Sequence, residues 1–479
     1  MMPPRKSWVR PSKRVKLPNG AVDTSKNAEK ALLLTIERDR RRYLDDARPD
    51  YLKELDAFIA EIRGKLEADG LTLDPPRLMP ILKSVKKMED GRMEVTCRPL
   101  STYSRLEDKV ILSVTSRYLT KYVDRQLHEN ILSYRSARNF HGIEHHVTDF
   151  NDGVKLLKAF REEHDGQRIF AADCDIKKFY DIIPHEVVRG CFERMLDSLH
   201  LCKEGKRQVM NVVGAYLKSY NFYDNAWMEA ENHKEVFFKV RRRLHDNEGG
   251  NIYRLGWVEE LLKQPEEERR KVGVPQGGAL SLLVANIVLN DVDHVITEND
   301  DDDRLFIRYC DDMILLHTDY NECCQLMDRY AESLTNHGLY FHEFEEVKEA
   351  KCKDTDKAEC TSDHFWKIKS HKPFLWGDGT GNSNRYIGFL GYEMRCDGRM
   401  RLRKSNIERF KEKANRLHYA LRRYAKKHTP EEYAQHEEKV IANLIGGVEF
   451  YEALDMKTFK QGSQYRYMKE LTEKLKGEE

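Results

Sequence analysis

The 479-residue chain is missing several features, and each absence removes a class of protein. It has no run of 18 apolar residues, so no membrane-spanning helix is expected. The N-terminus is basic but no apolar stretch follows it, which argues against a secretory signal. None of the ten cysteines forms a Cys-x-x-Cys pair, and thiols scattered in this way suit a reducing compartment. The nearest approach to a metal cluster, Cys352, Cys360 and His364, fits no common zinc spacing. An excess of one charge is also absent. The net charge is +1 although 34% of residues are charged, so any segregation is local. These properties describe a soluble intracellular protein, long enough for two or three subdomains.

What is present centres on residues 304–317, Arg-Leu-Phe-Ile-Arg-Tyr-Cys-Asp-Asp-Met-Ile-Leu-Leu-His. Two apolar, β-favouring runs flank Cys310, Asp311 and Asp312, which reads as a hairpin with paired acids at its tip. An ordinary solvated turn would more often set Gly, Asn or Pro beside Asp. Paired carboxylates suit magnesium, a hard cation that takes oxygen ligands at phosphoryl-transfer sites. Upstream, residues 166–187 contain a second acidic strand. Period-2 alternation puts Phe170, Ala172, Cys174 and Ile176 on one face and Asp173 and Asp175 on the other. Phe179 and Tyr180 follow within a turn, and simple core packing is the alternative reading for Phe179.

Between these segments lies Gly273-Val-Pro-Gln-Gly-Gly-Ala-Leu-Ser281, opening an apolar helix that runs to about Thr297. Glycines there let backbone approach a ligand, and a helix start offers free N–H groups. Residues 190–270, with the basic cluster Lys239, Arg241, Arg242 and Arg243, carry no motif chemistry and read as an insertion. The acidic run 300–303 reads as an exposed turn. A helix is expected from Arg105 to about His128, and another from Asn321 to Leu339. Tyr386 to Met394 and 398–403 read as a hairpin, and the chain from Lys404 onward as helical. Twelve Lys and Arg residues against two Glu fall between Arg399 and Lys427. Arg416, Tyr419, Arg423 and Lys427 share a helical face, as on a helix that tracks a nucleic-acid backbone. The first 20 residues, basic and proline-spaced, read either as a solvated tail or as an RNA-contacting arm. Residues from about Ser25 to Asp69 are helical in pattern, with a break near Pro49.

The order of these pieces resembles the reverse transcriptases, in particular the bacterial lineage of group II introns and retrons. Asp175-Ile-Lys-Lys-Phe-Tyr is similar to that family's first catalytic motif, and Val274-Pro-Gln-Gly-Gly to its template- and nucleotide-contacting motif. Tyr309-Cys-Asp-Asp312 is similar to the signature hairpin, with Cys where Ala is commoner, and Phe389-Leu-Gly-Tyr392 to the primer grip. The resemblance spans roughly residues 90–430. It implies an α+β right-hand polymerase: fingers (91–165), a palm whose antiparallel sheet carries the catalytic Asp residues (166–395), and a helical thumb (396–479), after a basic arm and helical extension (1–90).

The same resemblance implies roles. Asp175, Asp311 and the Ile176 backbone carbonyl, with Asp312 in support, would hold two Mg2+ ions, Mn2+ being an alternative. These ions would activate the primer 3′-hydroxyl and stabilise the leaving pyrophosphate. Tyr180 would sit beneath the incoming sugar and exclude a 2′-hydroxyl, which selects deoxynucleotides and disfavours a viral RNA polymerase. Phe179 and Gln276 would line the nucleotide site. Lys109, Arg135 and Arg138 would receive the triphosphate with Arg98 behind them, and Lys348 is a candidate for the family's distal lysine. Phe389, Leu390, Gly391 and Tyr392 would grip the primer, and Arg416, Arg423 and Lys427 would track nucleic acid.

Only about ninety residues follow the primer grip, room for a thumb but not for the DNA-binding and endonuclease modules of a mobile intron protein. The chain therefore looks most like the stand-alone, unknown-group enzymes of bacterial antiphage defence. That implies a cytoplasmic protein partnered by a structured non-coding RNA, dNTPs and a DNA product, with no membrane and with homo-oligomerisation left open. The alternatives are a retron or intron-derived enzyme and a non-catalytic RNA-binding scaffold.

Overall fold

The computed structural model describes residues 51–135, 138–140, 143–145, 150–238, 250–263, 265, 269–299, 301–347, 365, 368–379, 386–449, 466 and 470. The basic arm, the cluster at 239–243, Lys348, and Cys352, Cys360 and His364 lie outside the described residues. The chain opens with α1 (Tyr51–Glu67), a long hairpin β1 (Arg77–Lys87) and β2 (Met93–Thr102), and α2 (Leu106–Val123). A small hairpin β3 (Arg138–Phe140) and β4 (Ile143–His145) precedes α3 (Phe150–Glu163) and β5 (Arg168–Asp175). Then come α4 (His185–Ser198), α5 (Lys203–Lys218), β6 (Asn251–Leu255) and α6 (Ser281–Thr297). The hairpin β7 (Arg304–Tyr309) and β8 (Asp312–His317), α7 (Tyr320–Asn336), β9 (Phe344–Glu345) and β10 (Ser370–Asp378) follow. Strands β11 (Tyr386–Phe389), β12 (Tyr392–Arg395) and β13 (Met400–Leu402) lead into α8 (Lys404–Ala425) and α9 (Pro430–Glu449).

The central sheet has the order β7-β8-β5-β10-β9, antiparallel except for the β9–β10 pair. Both of its faces are covered. Phe170, Ala172, Cys174, Phe306, Met313 and Leu315 pack into the larger core with α4, α5, α6 and α7. Ile169, Ala171, Leu305, Ile307, Ile314 and Leu316 pack against Trp376 and the β11–β12 hairpin. Each such Ile, Leu, Phe or Met side chain, removed from water, contributes about 1.5–3 kcal/mol. Helix α7 starts where the Asp319 carboxylate accepts from the Asn321 and Glu322 N–H groups, and the chain leaves it at Gly338, φ +64. Helix α6 is apolar almost all round because it is enclosed on nearly every side. The mixed α+β class expected for a right-hand polymerase is what the chain adopts.

The described residues of 190–270 pack with the rest of the chain. Helices α4 and α5 place Val188, Phe192, Val209, Val212 and Tyr216 in the main core. Further along, β6 joins β2 in parallel, and Phe222 and Trp257 stack at 4.5 Å beneath that sheet. The sequence offers no motif here because these residues do structural work, filling the core against the central sheet and backing the β1–β2 hairpin.

Candidate active site

Strand β5 ends at Asp175, whose register partner across β8 is Asp312. Directly opposed residues in an antiparallel pair project to the same side. Asp173, Asp175 and Asp312 therefore leave the sheet on the face that carries Ile169, Ala171 and Ile314, while Phe170, Ala172 and Cys174 occupy the other. The alternation read from the sequence is thus present. Burial, then Asp311, Asp175 and Asp173, push the Asp312 carboxyl up to about 7, although its outer edge is open to solvent. Burial also raises Asp311, with Asp175 adding to the effect. Cations reply only in part. Lys369 Nζ lies 3.6 Å from Asp175 Oδ2, and His342 Nε2, whose pKa burial lowers, lies 4.0 Å from it. Arg98 and Lys83 act on Asp311, and Arg403 on Asp312. A crowd of oxygen donors short of positive charge is what a hard divalent cation completes, so these residues fit magnesium.

The start of β10 holds the acidic end of β5 in place. Ser370 Oγ accepts the Asp175 N–H at 2.9 Å, and His371 donates from its backbone N to Asp173 Oδ1 at 2.9 Å, with its ring Nδ1 2.8 Å from Oδ2.

The turn between β7 and β8 requires Cys310 to adopt φ 57, a left-handed conformation that costs a non-glycine residue energy. Two contacts offset that cost. The Cys310 N–H donates to Ser133 Oγ at 2.8 Å, and its carbonyl accepts from Arg308 Nη1 at 2.9 Å. Arg308 is itself fully buried, with Nε 2.6 Å from Asp293 Oδ2 of α6. Burial pushes Asp293 up to about 6 while Arg308 pulls it down. The segment around Ile131 pairs with Arg308 through its backbone, Leu132 N donating to Arg308 O and Arg308 N to Asn130 O.

The pocket beside the acids is built by two strands of backbone. Val274 N donates to Tyr180 O, Gly273 N to Ile183 O and His185 N to Lys271 O. Gly273 has φ +85, and a Cβ there would stand 2.7 Å from the Asp181 carbonyl, so glycine alone permits this approach. Gln276 O accepts from Ser101 N of β2, which ties the glycine-rich loop to the β1–β2 hairpin. Gln276 Nε2 donates to Asp181 Oδ1 at 2.5 Å. Tyr180 is half-buried against Phe179, ring centroids 5.2 Å apart, close enough to Asp311 and Tyr134 for their charges to act on its hydroxyl.

Several residues nominated from sequence sit elsewhere. Arg135 is buried and spends its guanidinium on the carbonyls of His128, Ile131 and Asp124, so it props the 130–135 segment rather than facing a triphosphate. Phe179 is 1% exposed and belongs to the core, so its side chain does not line the pocket. Phe389 and Tyr392 are buried too, and Leu390 and Gly391 between them are only partly buried. Lys109 lies in the first turn of α2, and Arg138 begins β3. Arg416, Arg423 and Lys427 are exposed along and just beyond α8, with Tyr419 67% exposed beside them. Residues that sequence reading passed over are Lys83, Lys369 and Asp181. Lys83 sits at a register shift in β1, and only pairing could place it near Asp311. Away from these acids, Cys191, Asp291 and His337 bring ligand atoms within 4.8 Å of one another, but Arg194 already binds Asp291 at 2.7 Å and lies 3.3 Å from the Cys191 thiol.

Residues 196–394 match the family model for reverse transcriptase (RNA-dependent DNA polymerase). That stretch is similar to a reverse transcriptase domain and makes up less than half of the chain. The match takes in Gln276, Asp311, Asp312 and the Leu390–Gly391 turn, while Asp175 and Tyr180 lie just upstream. No curated protein matches the chain by sequence. Among solved structures, a truncated apo telomerase from Candida tropicalis is 12% identical, with 70% of this chain and 56% of that chain covered and a TM-score of 0.36. Telomerase from Candida albicans in complex with a fragment of telomeric RNA is 13% identical over 88% and 62%, TM-score 0.35. The RNA-dependent RNA polymerase of a human picobirnavirus is 10% identical over 67% and 43%, TM-score 0.36. The chain thus spans about 56–62% of the length of those two telomerases. Likeness of this size adds no weight to the domain match. No helix among the described residues is long and apolar enough to cross a membrane.

Proposed function

We propose that the protein is an RNA-directed DNA polymerase that copies a cognate structured non-coding RNA into DNA from dNTPs, by two-metal phosphoryl transfer. The observation that carries this reading is the cross-strand pairing of Asp175 with Asp312, with Asp311 in the adjoining turn and Tyr180 beside it. Asp175, Asp311 and the Ile176 carbonyl, with Asp312 in support, would hold two Mg2+ ions or Mn2+, which when bound supply the positive charge that phosphoryl transfer needs. The chain's own residues do the rest. Tyr180 packs beneath the sugar and leaves no room for a 2′-hydroxyl. Lys369, 3.6 Å from Asp175, would serve as a cation for the leaving group, the role the resemblance suggested for Lys348, which lies outside the described residues. The Leu390–Gly391 turn meets the primer strand, and the exposed Arg416, Arg423 and Lys427 follow its backbone by charge. Arg98 and Lys83, working on Asp311 from β2 and β1, are better placed for a triphosphate than the buried Arg135.

A cytoplasmic role in bacterial antiphage defence follows from the resemblance of the motifs to stand-alone defence enzymes, and from that resemblance alone. The test is sequencing of the RNA and DNA that co-purify with the wild type and with Asp311→Ala/Asp312→Ala. One structured RNA in both, with complementary DNA only in the wild type, is the expected outcome. Heterogeneous RNA without DNA in either would move the protein to the scaffold reading.

A further inference from the structure

On the face of the central sheet opposite Asp175 and Asp312, three helices bring a thiol, a carboxylate and an imidazole together. Cys191 lies on α4, Asp291 on α6, and His337 directly follows α7. One ligand atom from each falls within 4.8 Å of the other two. Cys191 is fully buried while Asp291 and His337 are partly exposed, so the group is reached from solvent with the thiol innermost. Local backbone orients the imidazole. His337 Nδ1 lies 2.7 Å from the Ser333 carbonyl, which can only accept, so in the neutral ring that nitrogen carries the proton and Nε2 keeps its lone pair. Metal-binding histidines are commonly held this way, one nitrogen donating to a carbonyl and the other given to the ion. A cation already marks the spot. Arg194 Nη2 stands 2.7 Å from Asp291 Oδ2 and 3.3 Å from the Cys191 sulfur, and its Nε meets the same carboxylate oxygen at 2.9 Å. The Arg194 side chain is 61% exposed, so it can leave for solvent with little to rearrange. The polymerase reading gives none of these four residues work.

We propose that Cys191, Asp291 and His337 form a zinc site, with water as the fourth ligand and Arg194 as a placeholder that swings out when the metal enters. Sulfur, nitrogen and oxygen donors together suit zinc, whereas magnesium takes oxygen ligands, so this site and the acids of β5 and β8 select different ions. Bonds of about 2.3 Å to sulfur and about 2.0–2.2 Å to nitrogen or oxygen put tetrahedral ligands roughly 3.3–3.7 Å apart. Closing around the ion therefore needs movements of about 1 Å. On binding, the thiol releases its proton to solvent and the thiolate gives a lone pair to the metal, with no oxidant or reductant involved. Burial pushes the free thiol up to about 12, so coordination is what ionises it. The ion ties α4, α6 and the end of α7 into one unit, on the helix that two residues further on presents Asp293 to Arg308.

The test is titration of the full chain, stripped with a chelator, first with Co2+ and then with Zn2+. It is run in the Asp311→Ala/Asp312→Ala background so that those two acids cannot supply the signal. Cobalt held by a thiolate shows a sulfur-to-metal charge-transfer band, which carboxylates alone do not give. One equivalent of Co2+ should produce that band, Zn2+ should bleach it, and Zn2+ should raise the thermal midpoint by several degrees. Cys191→Ser should remove the band. His337→Gln and Asp291→Asn should each weaken binding by at least on the order of a hundredfold. Arg194→Gln should tighten it by up to about fivefold, the worth of a partly exposed ion pair. No charge-transfer band in the parent, or one that survives both Cys191→Ser and His337→Gln, would overturn the site. Should Cys191→Ser fail to fold, His337→Gln and Asp291→Asn decide, since both positions are partly exposed, and undiminished binding in the two would count against the inference. Binding no tighter in Arg194→Gln would remove the placeholder role. Nucleotide incorporation enters none of these readouts, so their outcome is independent of the polymerase reading.

Discussion

The two turns that bracket the site make an instructive pair. Both are two-residue connections closed by a flanking aromatic, Tyr309 opposite Asp312 in one and Phe389 opposite Tyr392 in the other. Both need a left-handed residue at the first central position, Cys310 at φ 57 and Leu390 at φ 52. They then diverge. The second turn continues with Gly391 at φ 88, where left-handed backbone is free, and is held by Arg403 N and Asn406 Nδ2 donating to the Gly391 carbonyl. The first has Asp311 at that position without left-handed backbone, and its strained Cys310 is held by Ser133 and Arg308, the latter paired with the buried Asp293. Where chemistry dictates the residue, the surrounding fold supplies the restraint. Where it does not, glycine supplies the conformation at no steric cost.

The largest way to break this comparison is at the acids. Asp311→Asn should lower nucleotide incorporation by on the order of 10^3-fold with the thermal midpoint little changed. The corresponding Leu390→Ala should cost far less activity, and equal losses would remove the distinction between the turns.

Next is the restraint itself. Arg308→Met strands Asp293 in the core and should cost about 3–5 kcal/mol in denaturant unfolding. Arg308→Met/Asp293→Leu should recover most of that loss, since replacing both charges by apolar groups removes the unpaired ion. A double variant no better than the single one would mean the pair is not what holds the turn.

A third prediction concerns pH and the glycine-rich loop. Burial pushes Asp181 up to about 6 from its ordinary 3.8, so the folded chain binds that proton more tightly than the unfolded one. Ionising it therefore costs stability as pH rises from about 4 to 6, and the cost is complete above that. Asp181→Asn lacks the term. The stability of wild type relative to the variant should fall between about pH 4 and 6 by at most about 3 kcal/mol. Parallel profiles would show that Asp181 is ionised as easily as in the unfolded chain.

The smallest effect is conformational. Cys310→Gly should relieve left-handed strain worth about 1 kcal/mol and leave the protein as stable or slightly more so. Gly391→Ala should lose a similar amount, because its Cβ would meet Asn406 Nδ2 at 2.5 Å in a backbone region that disfavours alanine.

Residue order alone specified much of this protein. Period-2 alternation through Phe170, Ala172 and Cys174 placed Asp173 and Asp175 on a shared face, and the apolar runs around Cys310 specified a hairpin, because a strand's side-chain period is local. The helix expected from Asn321 to Leu339 was legible for the same reason, and α7 forms over Tyr320–Asn336. What only the tertiary structure decided was partnership across distance. Arg135 carries the same charge in any sequence reading, but three nearby carbonyls turned it into a brace. Phe179 and Tyr180 are neighbours of the same chemical kind, yet the short turn they share buries one and leaves the other half-exposed beside Asp311. Residues 190–218 carry only an amphipathic pattern, and tertiary packing is what sets their apolar faces in the main core. Lys369 and Asp175 are nearly two hundred positions apart, and β10 lying against β5 is what sets an ammonium 3.6 Å from that carboxylate. Local periodicity is written into neighbouring residues, whereas charge pairing depends on which strands the folded sheet brings side by side.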